Sequence, residues 1–327
     1  MECGSSGGFK VNFATGRRES GNGRPGTDYR PLLPEWLRIK YVSNSSSSHI
    51  GGLMERYGLH SVCQSAHCPN RSECWAGGTA TFMVMGEHCT RGCRFCAVRT
   101  SLAPPPLDPD EPRKLAEAVS TLNLKYIVIT SVARDDLYDD GAGHFSECVR
   151  ELKARCPGLL IEVLVPDFKA KGFALQKIID SGPDVVSHNV ETVERLTRKI
   201  RDIRATYRQS LEVLKMYREM SGGKVITKSG MMVGFGESAE EVRRTMADAR
   251  DAGVEIFTIG QYLSPGEYPR HLPVEEYVHP DTFKKYERMG YELGFKYVAS
   301  GPMVRSSYKA GEPFIKKMIE SRSGLSI

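Results

Sequence analysis

Six of the nine cysteines in this 327-residue chain lie between residues 63 and 96, in two groups of three. The first group, the amino-terminal cysteines, has Cys-x4-Cys-x5-Cys spacing and consists of Cys63, Cys68 and Cys74. The second group, the loop cysteines, has Cys-x3-Cys-x2-Cys spacing and consists of Cys89, Cys93 and Cys96. Thiolates are ligands of zinc and of iron–sulfur clusters, so this clustering indicates a metal site. Disulfide frameworks are typical of small secreted chains, and we expect neither disulfides nor a secretory signal peptide here.

The number of thiolates in each group bears on the choice of metal. A structural zinc site needs four ligands, so a zinc bound by either group would need a further ligand such as His67 or His88. A four-iron, four-sulfur cluster can be held by three thiolates, which leaves its fourth iron open to another ligand. The spacing therefore favours iron–sulfur clusters, and zinc remains the alternative.

The elements that position the cysteines follow an alternating pattern. From residue 79 onward, short runs rich in β-branched residues alternate with segments of helical period, which is typical of successive βα units. We predict strands at 79–85, 126–130, 160–164, 184–187, 225–233 and 255–259. Six such units predict an α/β fold, a partial (β/α)6 TIM-like barrel, with a doubly wound open sheet as the alternative. In either fold, the loop cysteines follow the first strand at the edge where sites form.

Local signals mark some of the connections. Ser238 and Glu241 form a capping box that predicts the start of a helix, and Gly253 predicts its end. The serine run at 43–48 predicts a loop. Cys148 matches no motif, and its helical spacing with apolar neighbours predicts a small core residue.

The loop cysteines carry a resemblance to a known superfamily. Their spacing, their place after the first strand, and Phe95 before the last cysteine resemble the radical S-adenosylmethionine superfamily. In that superfamily three thiolates hold a four-iron cluster whose open iron binds S-adenosylmethionine, and one electron then yields a 5′-deoxyadenosyl radical. The resemblance implies that Cys89, Cys93 and Cys96 are the catalytic cluster ligands and that S-adenosylmethionine is a cofactor.

Longer segments narrow the resemblance. CQSAHCPNRSECW, GTATFMVMGEHCTRGCRFCAV and GPMVRSSYKAGE resemble the lipoyl synthase family, and TSVARDDL, IEVLVPDF, HNVETV and VGFGES match in order between them. The resemblance runs from about residue 31 to residue 319. It implies a radical sulfurtransferase of lipoate biosynthesis, which inserts sulfur at carbons six and eight of an octanoyl group on a lysine of a carrier protein.

The same resemblance assigns a second cluster. It implies that the amino-terminal cysteines hold an auxiliary four-iron cluster, which surrenders sulfide to the substrate and is consumed. A serine of the RSSY motif would ligate the fourth iron; we expect Ser307, with Ser306 less favoured, to have this role. A simpler interpretation is that either serine caps the following helix.

Polar residues at or just beyond predicted strand ends are candidates for S-adenosylmethionine contacts. They are Thr130, Asp136, Glu162 and Asn189, although each could equally satisfy backbone groups in a loop. One departure from the family is Ala133, where aspartate usually precedes RDD, and this leaves the role of that carboxylate in doubt here. Arg305 could hold the carboxyl-terminal segment or help to seat the substrate.

The predicted organisation has four parts. They are a flexible tail (1–30), an extension with the auxiliary ligands (31–78), the radical S-adenosylmethionine barrel (79–300) and a carboxyl-terminal extension with RSSY (301–327). The partners that the resemblance implies are octanoylated lipoyl carrier domains (2-oxoacid dehydrogenase E2 subunits and the glycine cleavage H protein), an electron donor such as ferredoxin or flavodoxin, and a cluster-repair protein.

Composition limits the remaining function classes. With 45 basic and 40 acidic side chains, the net charge of +5 is too small to indicate nucleic-acid binding. No apolar run approaches the ~20 residues that a membrane-spanning helix needs. We therefore expect no nucleic-acid or membrane partner, and a cytoplasmic location ahead of a mitochondrial or plastid one. The alternative functions are a radical methylthiotransferase acting on tRNA or a ribosomal protein, and a zinc-stabilised binding module.

Overall fold

The computed structural model describes most of the chain. The described residues are 33–38, 45–66, 68–76, 81–122, 124–266, 269–307 and 312–322. Contacts divide the chain into two units, Met1–Tyr41 and Val42–Ile327. In the first unit the described residues form a single 3-10 turn, Glu35–Leu37; the tail predicted over 1–30 lies outside the described residues. Both cysteine groups belong to the second unit, and the boundaries predicted at 78/79 and 300/301 fall inside it.

The second unit alternates helices and strands. The helices are α1 (Ser45–Tyr57), α2 (Val62–Ser65), α3 (Arg71–Ala76), α4 (Glu111–Ser120), α5 (Ala142–Arg155), α6 (Gly172–Asp180), α7 (Glu194–Ile200), α8 (Tyr207–Met220), α9 (Ala239–Asp251), α10 (Pro280–Glu292) and α11 (Glu312–Arg322). The strands are β1 (His60–Ser61), β2 (Thr81–Val84), β3 (His88–Cys89), β4 (Arg99–Thr100), β5 (Tyr126–Ser131), β6 (Leu160–Leu164), β7 (Val185–Ser187), β8 (Ile226–Val233), β9 (Ile256–Gln261) and β10 (Tyr297–Gly301). No described helix is long and apolar enough to cross a membrane.

The main sheet has its strands in chain order. The order is β1-β2-β5-β6-β7-β8-β9-β10, with every pair parallel except β1 and β2. A doubly wound sheet would reverse its strand order at a switch point, and this sheet does not. Right-handed crossovers in a single direction place the helices on one face, as in a barrel. Within the described chain β1 does not pair with β10, so the partial-barrel prediction is confirmed and the doubly wound alternative is wrong.

The number of strands differs from the prediction. All six predicted strands are present, and β6 matches its predicted bounds. However, β10 adds a seventh parallel strand beside β9, and the short β1 adds an antiparallel edge. The sequence signal for β10 is weak because its apolar run is short and Ser300 and Gly301 follow it. Hydrogen bonding to β9 stabilises β10 even though the local sequence signal for a strand is weak.

The helix starts show one success and one error. The capping box is confirmed, because Ser238 Oγ accepts from Glu241 N–H (3.2 Å) and the Glu241 carboxylate accepts from Ser238 N–H (2.8 Å). Gly253 follows α9 with a φ of 86°, as a glycine that ends a helix does. The loop predicted at 43–48 is wrong from Ser45 onward, where α1 begins. In α1, the buried residues Ile50, Leu53 and Met54 lie three and four positions apart and so share one face of the helix. Burial of this apolar face stabilises the helix in spite of its serines.

The inner face of the main sheet changes character along the strands. Near the strand amino ends it is apolar, and α11 adds Ile315 and Met318 to the same cluster. The strand residues of this cluster are Tyr126, Val128, Val185, Ile226 and Ile256. Towards the carboxyl ends the register brings small and polar residues to the inner face, namely Thr130, Ser187, Gly230, Thr258 and Gly260. We call this polar end the mouth; it is the end at which the loop cysteines lie.

Candidate iron–sulfur and cofactor site

Backbone donors surround the sulfur atoms of the loop cysteines. Cys89 ends the short strand β3, and its Sγ accepts from the N–H groups of Ala133 (3.3 Å) and Arg91 (3.4 Å). The Sγ of Cys93 accepts from the N–H of Asp202 (3.3 Å). Hydrogen bonds of this kind stabilise thiolate charge and tune the clusters that thiolates hold. The loop is therefore built to present thiolates.

The thiols of Cys93 and Cys96 are nevertheless costly to ionise without a cation. Burial raises the pKa of Cys93, and it raises the pKa of Cys96 to about 12, against the opposing effect of backbone N–H donors. A bound metal ion reverses this preference, because a coordinated thiol is deprotonated. These thiols therefore fit the role of ligands to a cationic iron centre better than the role of free nucleophiles.

Arg91, inside the cysteine loop, ties that loop to two strand ends. Its guanidinium binds Asp135, which follows β5, with Nη2–Oδ1 at 2.9 Å, and Asp167, which follows β6, with Nη1–Oδ2 at 2.6 Å. All three side chains are buried. Burial alone would raise the pKa of each aspartate, but hydrogen bonds from Arg91 outweigh it and lower both. The sequence analysis missed this network, although CTRGC, RDD and VPDF contain all its members.

Replacing Arg91 by methionine should strongly destabilise the cluster-free fold. Buried Asp167 would lose its ion-pair partner, and Asp135 would keep only the longer pairs with Lys169 (3.3 Å) and Arg204 (3.4 Å), so we expect the free energy of unfolding in urea to fall by about 3–5 kcal/mol. Arg99→Met, which breaks an exposed pair with Glu87 next to the same loop, should cost less than about 1 kcal/mol. Because the aspartate pKa values are lowered in the folded state, the stabilisation is present at neutral pH and is lost as the pH falls. Equal effects of the two substitutions would contradict the assignment.

A second arginine holds the opposite side of the cysteine loop. Arg270, beyond β9, donates to the carbonyl oxygens of Cys93 (3.1 Å) and Val98 (3.3 Å). The neighbouring His271 ring nitrogen lies 3.2 Å from the carbonyl oxygen of Cys96. The loop is thus fixed by side chains from both sides of the mouth.

Two of the amino-terminal cysteines lie on short helices beside the sheet edge, and Cys68 lies in the segment between those helices. Cys63 is on α2, which Ser61 caps, and Cys74 is on α3. The thiols of Cys63 and Cys68 are hydrogen-bonded, and this bond lowers the pKa of Cys63 to about 6 while it raises that of Cys68. Thiols lose their protons when they bind a metal, so a metal bound by these two cysteines would displace the proton between their sulfur atoms. His67, a zinc candidate, lies outside the described residues.

Residues from the far end of the chain complete the surroundings of the amino-terminal cysteines. Asn70 Nδ2 donates to the carbonyl of Met303 (2.6 Å), and the Arg305 charge acts on the thiol of Cys68. A Cβ on Gly260 would lie 2.1 Å from the carbonyl oxygen of Val304, so only glycine allows this approach. The segment leading to the RSSY motif therefore lies against the amino-terminal cysteines.

The two candidate serines of this segment differ in their surroundings. Ser306 Oγ accepts from Asn189 Nδ2 (2.8 Å), so its hydroxyl is already engaged. Ser307 follows it and is partly buried. Helix α11 begins at Glu312, five positions after Ser307, so neither serine adjoins its first residue. This spacing weakens the helix-cap interpretation.

Three of the four predicted cofactor contacts lie at the mouth. Thr130, near the end of β5, donates to the carbonyl of Leu164 (2.9 Å), and Asp136 pairs with Arg134 (2.8 Å). Asn189 Oδ1 and Ser187 Oγ are buried and have no hydrogen-bond partner in the described part of the chain. Buried polar atoms are rarely left unpaired, so these two fit a polar ligand in the mouth.

The fourth predicted contact, Glu162, is placed differently from the prediction. It lies in the middle of β6 and not at a strand end, and its carboxylate is fully buried between Lys228 Nζ (2.8 Å) and Tyr126 Oη. The predicted placement at a strand end is wrong, while a contact of Glu162 with S-adenosylmethionine stays a prediction; sheet register brings Lys228 of β8 to the same inner face. The sequence analysis missed Lys228, since a lysine in a strand pattern normally indicates a solvated face.

Two further expectations are clarified by the contacts. Ala133 meets the cysteine loop through its backbone: its N–H donates to Cys89 Sγ (3.3 Å) and its carbonyl accepts from Thr90 N–H (3.0 Å). Both bonds are independent of the side chain that departs from the family. Cys148 is fully buried on α5, as predicted.

Comparison with known proteins identifies the family. The Radical SAM superfamily model matches residues 83–272. "Lipoyl synthase, mitochondrial" from Vitis vinifera is 50% identical over 307 residues, covering 92% of this chain and 78% of the relative. The chain belongs to the lipoyl synthase family. A lipoyl synthase from Sorghum bicolor is 51% identical over 302 residues, with 90% and 78% coverage. Lipoyl synthases are radical S-adenosylmethionine enzymes that insert sulfur, so this protein is an enzyme of that class and uses a four-iron cluster and S-adenosylmethionine.

Solved structures agree on the fold. The hydrogenase maturase HydG from Carboxydothermus hydrogenoformans has a TM-score of 0.52 at 12% identity, covering 83% of this chain and 78% of that one. Streptococcus suis SuiB bound to S-adenosylmethionine also has a TM-score of 0.52, at 10% identity, with 71% and 54% coverage. The plant lipoyl synthases are named mitochondrial, so the comparison gives no support to the predicted cytoplasmic location.

Proposed function

We propose that this lipoyl synthase family member inserts two sulfur atoms, at carbons six and eight, into an octanoyl group carried on a lysine of a lipoyl carrier domain. The observation that carries the proposal is that the chain has two three-cysteine groups, one in the loop after β2 and one on and between α2 and α3, where Asn70 binds the carbonyl of Met303 from the carboxyl-terminal segment. Neither carbon has an acidic hydrogen, so no side-chain base could activate it. The chemistry therefore has to come from a cofactor, which the protein positions.

The proposed cofactor site is the mouth. Cys89, Cys93 and Cys96 would hold the cluster that, when bound, cleaves S-adenosylmethionine to a radical able to abstract hydrogen from an alkyl carbon. The chain's own contribution is positional: Arg91 and Arg270 fix the loop in place. Polar groups of the mouth would bind the cofactor, and we assign Thr130, Asp136 and Asn189 to this role. The apolar inner face below would exclude water from the octanoyl chain.

The proposed sulfur source is a second four-iron cluster, consumed as a co-substrate. Cys63, Cys68, Cys74 and Ser307 would ligate it. The bond from Asn70 Nδ2 to the Met303 carbonyl (2.6 Å), which brings the segment before the RSSY motif to these cysteines, supports this ligand set. A serine oxygen is a harder ligand than a thiolate and binds iron less well, which suits a cluster that must come apart.

The proposed partners follow from this chemistry. They are octanoylated E2 subunits and the glycine cleavage H protein as substrates, a ferredoxin or flavodoxin as electron donor, and a protein that rebuilds the consumed cluster. Because the plant relatives are named mitochondrial, we also propose a mitochondrial location, which co-fractionation of the full chain with mitochondrial marker proteins would test.

The substrate should be accepted only on a carrier. Binding energy from the carrier, remote from the reacting carbons, can orient the alkyl chain, and free octanoate lacks that energy. We expect the anaerobically reconstituted enzyme to convert an octanoylated carrier domain or a short octanoyl-lysine peptide, and to leave free octanoate unchanged, as followed by mass spectrometry. Similar rates on free octanoate would remove the carrier from the proposal.

A further inference from the structure

Lys228 and Glu162 form a buried ion pair on the inner face of the sheet. Both side chains are completely inaccessible to solvent, and Lys228 Nζ lies 2.8 Å from each carboxylate oxygen. Tyr126 Oη donates to the same carboxylate. Two charges in such a place are costly to desolvate, and an apolar pair of similar size would generally fill the space at least as well. The pair therefore calls for a role beyond packing.

The third bond of the ammonium group suggests that role. A lysine ammonium has three donors. Lys228 Nζ donates to both carboxylate oxygens of Glu162. Its third hydrogen bond goes to the carbonyl oxygen of Ser306, at 2.7 Å. A charge-assisted hydrogen bond of this kind is stronger than one between neutral groups. The pair thus joins the inner face of β6 and β8 to the carboxyl-terminal segment.

The residues around that bond place the segment beside the amino-terminal cysteines. Three positions before Ser306, the Met303 carbonyl accepts from Asn70 Nδ2 (2.6 Å), and Asn70 lies two positions after Cys68. The position after Ser306 is Ser307. Among the described residues, Ser306 accepts side-chain hydrogen bonds from Asn189 and from Lys228. Of these two donors, Lys228 is the charged one.

We propose that Lys228 is a positioning residue which, held by Glu162, fixes the Ser306 carbonyl and so keeps residues 305–307 against the amino-terminal cysteines. The inference rests on the proposed function in one respect only, the assignment of Ser307 as a ligand of the auxiliary cluster. Without the ammonium group, the segment keeps neutral hydrogen bonds such as those from Asn189 and Asn70 but loses its charge-assisted bond to the barrel, so Ser307 becomes more mobile while the loop cysteines are unaffected.

Two matched double variants isolate the hydrogen bond from the charge. K228M/E162Q removes both charges and the donor to Ser306, whereas K228Q/E162Q removes both charges but keeps an amide donor. K296M is the control, since it removes a lysine that pairs with Glu255 outside this segment. All three are made in the full chain carrying C89A, C93A and C96A, so that only the amino-terminal cysteines can bind a cluster.

The first measurement is the loss of the iron that has no cysteine ligand. After mild oxidation of the reconstituted chains, we expect the EPR signal of a three-iron cluster to be roughly tenfold larger in K228M/E162Q than in the parent, as for loss of one hydrogen bond to a charged group. K296M should match the parent, and K228Q/E162Q should lie near it. A K228M/E162Q signal equal to that of the parent would overturn the proposal.

A second measurement is independent of any cluster. Hydrogen exchange in the cluster-free chain should be faster at residues 302–307 in K228M/E162Q than in K296M, with the sheet unchanged. Unchanged exchange in the segment would refute the anchor. A K228M/E162Q chain that no longer folds would also refute it, because the pair would then hold the barrel together. If the parent loads no four-iron cluster, the proposed sulfur source fails, while the exchange result still decides the anchor.

Discussion

Replacing all three loop cysteines by alanine should abolish cleavage of S-adenosylmethionine, because these cysteines are the proposed ligands of the iron cluster that binds it. Replacing all three amino-terminal cysteines should leave cleavage to 5′-deoxyadenosine in place but abolish formation of the lipoyl product. Each variant should also bind about half of the iron and sulfide of the parent chain after anaerobic reconstitution, since each would retain one four-iron cluster. Iron analysis and product chromatography check both results.

A matched control for this experiment is the replacement of Cys156 by alanine. Cys156 is partly buried at the carboxyl end of α5 and belongs to neither group, so its loss should leave the iron content unchanged. Lipoyl product from the variant without amino-terminal cysteines would show that the sulfur comes from elsewhere. Stoichiometric zinc in place of iron would restore the zinc-stabilised module as the better interpretation.

The second large effect concerns the isotope of sulfur in the product. An alkyl radical must meet its sulfur donor before it escapes, so the donor has to be held within bonding reach at both carbons. We therefore expect both sulfur atoms to come from the enzyme's own auxiliary cluster. The enzyme should use two S-adenosylmethionine molecules per lipoyl group and stall after about one turnover unless the cluster is rebuilt.

The test is a single turnover with labelled clusters. The chain is reconstituted with heavy-isotope sulfide, exchanged into unlabelled buffer and allowed one turnover, and the product is weighed by mass spectrometry. Two heavy sulfur atoms are expected. Product with only light sulfur would refute a consumed cluster, and one heavy with one light sulfur would require a second donor. Enzyme reconstituted with light sulfide and placed in heavy sulfide buffer is the reciprocal control.

Much of the fold could be predicted because its signals are local. The run that became β6 is apolar and β-branched, and the Ser238 capping box is a contact between residues three positions apart. Where the local signal was weak, the prediction failed. Strand β10 is stabilised by its pairing with β9, and the serines of α1 are outweighed by buried Ile50 and Met54.

The candidate site, like the fold, has parts that could be predicted from the sequence and parts that could not. The loop cysteines could be found because spacing alone brings three thiolates together, and their place after the first strand is confirmed. The supporting residues depend on contacts between distant parts of the chain, which a single sequence does not reveal. Arg91 meets an aspartate 76 positions away, and Lys228 meets Glu162 66 positions away. Sheet register brings Lys228 to Glu162, and loops beyond the strand ends bring Arg91 to Asp167.

The contact between Asn70 and the Met303 carbonyl has a consequence for biosynthesis, because it joins residues 233 positions apart. A nascent chain leaves the ribosome amino end first, so Cys63, Cys68 and Cys74 are synthesised long before the segment that completes their surroundings. During translation of β2 to β9 the amino-terminal cysteines therefore lack these carboxyl-terminal neighbours. A premature stop codon just before Met303 would leave the loop cysteines with their own neighbours and the amino-terminal cysteines without theirs.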